Sequence, residues 1–244
     1  RKGERHMGLW KASGRKGLGG RQGTLALLLG AVLLLCGCGT GASDGSAASG
    51  GGASSGSQAV STEELAQHAY DLLEAVETAC REGMRCYRSV WQYGIEIGVE
   101  QESAALLGES GSDADTVMDG LASRMGVERS FLEENGGYAA EDFLNGDGTY
   151  DGWQFCLWAT ENCYAAIGYY EGLDSAMETA QDVIKSLPEG YEYRQALKDY
   201  YTKTAAYVAY FEDVSGSYNS SGDTVVEYEN AIEAAKEGLL FDFG

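Results

Sequence analysis

The chain contains only two histidines, one proline and few basic residues. The scarcity of histidine and of basic side chains disfavours two classes of function, catalysis and nucleic-acid binding. After residue 38 the only histidine is His68, and residues 61–244, which follow a Gly- and Ser-rich stretch, have no G-x-S-x-G, P-loop or H-E-x-x-H motif. The chain has 17 Lys and Arg against 38 Asp and Glu, a net charge of −21. This negative net charge disfavours binding to nucleic acid, because such binding requires clustered basic side chains. We therefore expect a non-catalytic protein that binds no nucleic acid.

The first 38 residues have the composition of an export signal. The first Met is Met7, and we expect translation to begin there, with residues 1–6 as upstream sequence. A basic segment is followed by an apolar run over 24–35 and then by Leu-Cys-Gly-Cys, which ends at Cys38. This ending resembles the lipobox of bacterial prolipoproteins. The alternative, an uncleaved membrane anchor, is disfavoured because the run is shorter than the ~20 residues that a spanning helix needs.

The resemblance to prolipoproteins implies a location and an anchor. Residues 1–37 would be the signal peptide, and Cys38 would carry a thioether-linked diacylglycerol at the extracytoplasmic face of the cell membrane. Two long acyl chains anchor a protein stably. Residues 38–60 are almost wholly Gly, Ala and Ser and predict a disordered, flexible tether. The remaining residues, 61–244, suit one folded domain.

The folded part has the pattern of an all-α protein. Ser61 and Glu64 form a capping box, and apolar residues then recur at spacings of three and four over 62–107. Further helices are expected over 113–135, 151–187, 191–214 and 223–238. No segment alternates in the manner of a strand. We predict an up-and-down bundle of four to five helices behind the tether.

Four cysteines lie in the folded part: Cys80, Cys86, Cys156 and Cys163. In an exported protein an even number favours disulfides. Neither close pair can bridge within its own helix, because each spans more than the ~4.4–6.8 Å allowed between Cα atoms. A parallel arrangement would pair Cys80 with Cys156 and Cys86 with Cys163, and we favour it. An antiparallel arrangement would pair Cys80 with Cys163 and Cys86 with Cys156, and the same four residues could also remain free thiols or form a four-thiolate zinc site.

One loop resembles the middle of a calcium loop of the EF-hand kind. Asn145, Asp147 and Asp151 would take loop positions 3, 5 and 9. The first position falls on Phe143 and the twelfth on Gln154, so two of the acidic ligands are missing. We favour the alternative, a plain turn before the third helix. No cofactor is therefore expected, with calcium as the alternative.

Tyrosines are concentrated in the fourth helix. Tyr200, Tyr201, Tyr207 and Tyr210 could line a sugar- or peptide-binding groove, because tyrosine offers a rigid ring with a polar tip. The same residues also fill helical cores, and we favour that interpretation, which extends to Trp91, Trp153 and Trp158.

These patterns indicate a surface-tethered, non-catalytic helical lipoprotein of the bacterial envelope. Its first expected role is to bind or scaffold an envelope protein or peptide. The alternative is a module that binds a small cation or carbohydrate and feeds a transporter. An exposed apolar patch would favour the first role, and a concave pocket lined by several tyrosines or by converging carboxylates would favour the second.

Overall fold

The structure, a computed structural model, describes residues 60–139, 142 and 152–239. Within these ranges the chain forms seven α-helices and no strand, so the predicted all-α fold is confirmed. The helices are α1 (Thr62–Leu107), α2 (Ala114–Met125), α3 (Arg129–Asn135), α4 (Trp153–Ala166), α5 (Tyr169–Ser186), α6 (Arg194–Glu212) and α7 (Tyr218–Lys236). Cys38 and most of the predicted tether lie outside the described residues.

Helix α1 is the longest element and has the bounds that the sequence predicts. Its 46 residues span about 69 Å. The backbone N–H of Glu64 donates to Ser61 Oγ at 3.1 Å, and the N–H of Ser61 donates to Glu64 Oε2 at 2.7 Å. The helix ends at Gly108, whose φ of 71° is left-handed and favours glycine. Local capping therefore sets both ends.

Two of the predicted helices are each divided in two, which raises the number of helices above four to five. Gly126, with φ 68°, ends α2, and Gly168, with φ 71°, precedes α5. Both glycines adopt a left-handed conformation that cannot continue a right-handed helix. The last helix also begins earlier than predicted, because Ser217 rather than Asp223 provides the cap.

Helices α4 and α5 run antiparallel to α1. The indole of Trp153 stacks on that of Trp91, and farther along the chain the Tyr169 hydroxyl donates to the Ala79 carbonyl at 2.7 Å. Residue numbers therefore rise along α4 and α5 in the direction in which they fall along α1. The parallel arrangement of this segment and α1, which the sequence favours, is therefore wrong.

Helices α6 and α7 complete the up-and-down order. The Tyr200 hydroxyl of α6 donates to Glu77 at 2.9 Å. Phe211, near the C-terminal end of the same helix, packs over Gly83, so α6 runs parallel to α1. Helix α7 returns, with Lys236 beside Glu77. The core lies along the length of α1, where the other helices converge. No helix in the described part of the chain has both the length and the apolar character that a bilayer crossing needs.

Candidate functional site

A cleft of about 600 Å³ opens between the C-terminal half of α1, helix α4 and the segment that follows α6. We call it the aromatic cleft. Its floor and walls carry four aromatic side chains, and three carboxylates also line it. The aromatic residues are Tyr87, Trp91, Trp153 and Trp158, and the acidic residues are Glu161, Glu212 and Asp213.

The aromatic wall follows from helical spacing on two antiparallel helices. Tyr87 and Trp91 are four residues apart on α1 and therefore share a face. Trp153 of α4 stacks on Trp91 with ring centroids 6.1 Å apart and planes inclined by 4°. Tyr87 meets Trp91 edge-on, at 6.2 Å and 83°. Trp158 stands at the mouth, where its side chain remains 41% exposed. The cleft therefore has a rigid back wall and an accessible ring at its entrance.

The acidic side comes from two different elements. Glu161 lies on α4 and accepts a hydrogen bond from the Tyr87 hydroxyl at 3.0 Å. Burial, and next the Glu161 carboxylate, raise the pKa of Tyr87, so its hydroxyl keeps its proton. Glu212 is the last residue of α6, and Asp213 follows it. Among the described residues that line the cleft there is no Lys or Arg, so the lining has a negative potential.

The carboxyl of Glu212 has a higher pKa than that of an ordinary surface acid. Partial burial raises the pKa of its carboxyl, and the neighbouring Asp174 raises it further. Both effects disfavour the charged form of a carboxylate. A positive charge in the aromatic cleft would relieve this penalty.

The described residues contain no group of three or more His, Cys, Asp or Glu side chains that could hold a metal ion. The four cysteines are described and do not form such a group, so the four-thiolate zinc alternative is wrong. Asn145, Asp147 and Asp151 lie outside the described residues, so calcium binding by that loop stays a prediction.

In the part of the chain that the structure describes, none of the four cysteines of the folded part forms a disulfide: Cys80, Cys86, Cys156 and Cys163. Cys156 lies beside Tyr93, whose pKa is raised to about 12 by burial and next by this thiol. Tyr93 and Cys80 are 13 residues apart on α1, or about 20 Å along its axis. Cys80 and Cys156 are thus far beyond disulfide reach. The favoured parallel ladder is wrong, because α4 runs against α1.

Cys86 and Cys163 do come to the same level of the bundle. The Tyr164 hydroxyl donates to the Gly83 carbonyl at 2.9 Å, which places this part of α4 beside residues 83–86 of α1. Burial raises the pKa of the Cys163 thiol to about 12, and the nearby Cys86 adds to the shift. Neither thiol is therefore activated as a nucleophile at neutral pH. A bridge between them stays a prediction.

The tyrosines of α6 do not form a groove. Tyr200 and Tyr207 are fully buried, while Tyr201 and Tyr210 are half-buried and packed against the core. The two buried side chains offer no face to a ligand. The sequence instead missed the aromatic cleft, although the spacing of Tyr87 and Trp91 and the acidic pair at the end of α6 were visible signals.

A second cluster of charged residues surrounds Glu77, which is only 2% exposed. Its carboxylate accepts hydrogen bonds from Tyr200 at 2.9 Å, Lys236 at 3.2 Å and Arg81 at 2.6 Å. The Lys236 ammonium also lies 5.7 Å from the ring centre of Tyr200 and 5.9 Å from that of Tyr70. Both oxygens of Glu77 are engaged, so this network joins α7 to α1 and serves the fold.

Comparison with known proteins gives no relative: no protein-family model matches the chain, and no curated protein or solved structure is significantly similar to it. The aromatic cleft is therefore interpreted from its own geometry and charge.

Proposed function

We propose that this protein is a non-catalytic binding lipoprotein of the bacterial envelope, and that its ligand occupies the aromatic cleft. One observation carries the proposal: a cleft of about 600 Å³ walled by four aromatic side chains. Small-ligand sites in proteins have volumes of ~300–1,000 Å³, mostly apolar walls and a few placed polar groups. Glu161, Glu212 and Asp213 supply those polar groups.

The proposed location rests on the lipobox-like ending at Cys38. With a diacylglycerol on that cysteine, the tether over 38–60 would hold the folded domain roughly 26 Å from the membrane. A ligand captured there would be passed to a transporter in the same membrane. The strongly acidic composition suits this position, because it keeps the domain off an anionic lipid surface.

A protein partner is the second candidate, and a specific surface favours it. The C-terminal half of α1 exposes Ile95 and Val99, four residues apart, and beyond them Leu106 and Leu107. Leu106 is 88% exposed, which is unusual for leucine in a folded domain. A row of apolar side chains on one helix is typical of a contact with another protein.

Lipid attachment is tested with two cysteine variants of the full chain, expressed in cells fed labelled palmitate. We expect Cys38→Ala to abolish labelling and to release the protein from the membrane fraction. Cys36→Ala is the matched control and should retain both, because it leaves the modified position intact. Labelling of Cys38→Ala at the wild-type level would refute the anchor.

Ligand capture is tested by equilibrating the purified chain with a small-molecule extract of the cells and identifying retained compounds by mass spectrometry. Trp158→Ala removes the exposed ring at the mouth of the cleft and should abolish retention. Val226→Ala, at an exposed apolar position on α7, is the control and should change nothing. Retention of the same compounds by Trp158→Ala, or of none by the wild type, would overturn the small-ligand proposal and leave the apolar row of α1 as the favoured site.

A further inference from the structure

Only some of the rings that line the aromatic cleft are accessible to a ligand. Tyr87 is 4% exposed and Trp91 6%, and Trp153 stacks on Trp91. Tyr87 and Trp91 therefore present no open ring face. Trp153 is half-buried, whereas Trp158, farther along α4, is largely exposed. The main ring available for stacking on a ligand is that of Trp158.

Trp158 is held in place by residues outside the cleft. Tyr138 stacks on it with ring centroids 6.1 Å apart and planes inclined by 28°, and Phe155 meets it edge-on at 5.4 Å and 90°. Neither of these two residues lines the cleft, whereas Trp158 does, so part of the surface that Tyr138 leaves open faces into the cleft. A ring that is already fixed loses little side-chain freedom when a ligand stacks on it.

The polar groups of the cleft are mainly hydrogen-bond acceptors. Glu212 and Asp213, at the end of α6, form no ion pair with any described residue. Gln154 and Ser215 add an amide and a hydroxyl, which can both accept and donate. No Lys or Arg occurs among the described lining residues. The cleft thus suits a ligand with several hydrogen-bond donors and no negative charge.

An organic cation fits this arrangement less well than a neutral molecule does. Cations gain most from aromatic faces where water is excluded, and much less at an exposed ring. The buried rings of the cleft have no accessible face, and the accessible ring of Trp158 stands in solvent at the mouth. Pairing with carboxylates near the surface adds little, because water and salt screen it. The accessible lining therefore does not enclose a charged head group.

A sugar ring matches both kinds of group. A hexopyranose whose hydroxyls are mostly equatorial has C–H groups on a flat face and hydroxyls around its rim. The C–H face buries apolar area against an aromatic ring and meets its negative π-face. A carboxylate has two oxygens and can accept from two neighbouring hydroxyls. Such hydrogen bonds favour the ionised form of Glu212, which burial and Asp174 disfavour.

Resting on the proposed function, we infer that the aromatic cleft binds a neutral carbohydrate, with the apolar face of a sugar ring on Trp158 and sugar hydroxyls donating to Glu212 and Asp213. The ligand class is a sugar of glucose or galactose configuration. The cleft volume of about 600 Å³ suits a short oligosaccharide, because clefts of this size hold drug-sized ligands.

The test is calorimetric titration of the full chain with the neutral disaccharides cellobiose, maltose and lactose, and with sorbitol, which has the hydroxyls of a sugar but no ring. We expect at least one disaccharide to bind with a Kd below about 1 mM, and sorbitol to bind at least about tenfold more weakly. The affinity should not change between about 0.05 M and about 0.5 M NaCl, because the ligand carries no charge. Choline, titrated under the same conditions, should bind more weakly than the disaccharide.

Substitutions locate the bound sugar. Trp158→Ala should weaken binding about tenfold, whereas Trp158→Phe keeps a ring and should lose less. Glu212→Gln replaces one accepting oxygen by a donor and should weaken binding about three- to tenfold. Glu227→Gln, an exposed acid on α7, is the matched control and should bind as the wild type does.

Four results would overturn the inference. No binding of any of the three disaccharides up to about 10 mM would exclude the ligand class. Sorbitol binding as tightly as the disaccharides would show that no ring face is recognised. Disaccharide binding unaffected by Trp158→Ala and Glu212→Gln would place the sugar elsewhere on the chain. Choline binding that is tighter than disaccharide binding, falls with salt and is lost in Trp158→Ala would make the ligand an organic cation. The proposed function is decided separately, by whether the wild type retains compounds from the cell extract that Trp158→Ala does not retain.

Discussion

Helix α1 is held on its two sides by different chemistry. On one side it packs against α4, α5 and α6 through a cluster of rings formed by Tyr164, Tyr169 and Phe211, which we call the aromatic seam. On the other side it meets α7 through Glu77, Arg81 and Lys236, together with the acids that Arg81 reaches, and we call this the ionic seam. The same helix thus offers a direct comparison of apolar and ionic packing.

The aromatic seam buries large rings without leaving their hydroxyls unpaired. Tyr164 and Tyr169 stack with centroids 5.1 Å apart, and Phe211 lies 5.6 Å and 5.9 Å from them. Each hydroxyl donates to a carbonyl of α1, that of Gly83 or Ala79. The seam therefore gains the full benefit of apolar burial at no cost in unsatisfied polar groups.

The ionic seam has little apolar surface to bury. The buried residues of α7 are Ser221, Ile232 and Lys236. Arg81 reaches across to Glu229 at 3.3 Å and Glu233 at 3.5 Å. These two pairs are partly exposed and contribute little, and the buried Lys236–Glu77 pair loses much of its attraction to desolvation. We therefore expect α7 to be held less firmly than α5 or α6. The comparison teaches that α7 should open before the rest of the bundle.

The largest effect is expected from Phe211→Ala, which removes the ring at the centre of the aromatic seam. The loss of contacts with both tyrosines and the cavity over Gly83 should lower the free energy of unfolding by about 4 kcal/mol. Urea unfolding followed by far-UV circular dichroism measures it. Val226→Ala, on an exposed position of α7, should change the midpoint little. A loss below about 1 kcal/mol in Phe211→Ala would show that the seam collapses around the gap.

The ionic seam is tested by removing one partner and then both. Lys236→Met leaves the buried Glu77 with only Arg81 and Tyr200, and we expect a loss of about 3 kcal/mol. The double variant Glu77→Gln with Lys236→Met removes the stranded charge and should recover part of that loss. Hydrogen exchange should show α7 unprotected in the single variant while α5 stays protected. Equal loss of protection in both helices would contradict the separation of the two seams.

The fold could be predicted from the sequence wherever local signals decide it. The bounds of α1 follow from the Ser61 capping box and from an apolar stripe that stops at Gly108. The breaks at Gly126 and Gly168 could not be predicted, because glycine also occurs in the interior of helices of this protein, as Gly83 does in α1. Whether a glycine ends a helix depends on the tertiary contacts beyond it.

The aromatic cleft required information that the sequence pattern does not contain. Trp91 and Trp153 meet only because α4 runs antiparallel to α1 and begins at that level. A parallel α4 would place these two residues far apart, and the tryptophans were assigned to core filling on the separate ground of their residue type. Spacing within a helix shows which residues share a face, but the register between helices is a property of the whole bundle.

Alkaline pH should weaken the ionic seam, because Lys236 and the Tyr200 hydroxyl that donates to Glu77 hold their protons more firmly in the folded protein. Burial, and next Glu77, raise the pKa of Tyr200 above its ordinary 10.0. The pKa of Lys236 is also raised: burial alone would lower it, but Glu77, with Tyr70 and Glu74, more than offsets this. For both groups the stabilisation is complete below the unfolded pKa and is lost as pH rises toward the folded one.

We therefore expect the free energy of unfolding to fall above about pH 10, by ~1.4 kcal/mol per pH unit for each such group. Urea unfolding between about pH 8 and pH 11 measures the slope. Tyr200→Phe has no hydroxyl to ionise and should show a shallower fall, while Tyr191→Phe, outside both seams, serves as the control. An unchanged slope in Tyr200→Phe would mean that its hydroxyl ionises as easily in the folded protein.

The smallest effect is expected from Gly83→Ala, which tests how closely Phe211 approaches α1. A Cβ at this position would lie 2.6 Å from the tip of the Phe211 ring, so the ring must shift. Alanine favours the helix by about 1 kcal/mol, whereas overpacking costs ~1–3 kcal/mol. We expect a net loss of about 1 kcal/mol by urea unfolding. Because Gly190→Ala meets no atom within 4 Å, it should be neutral or slightly stabilising.

Combining Gly83→Ala with Phe211→Leu, which shortens the side chain that is in the way, should cost less than the two single losses together. Simple additivity would mean that the seam does not depend on this close approach.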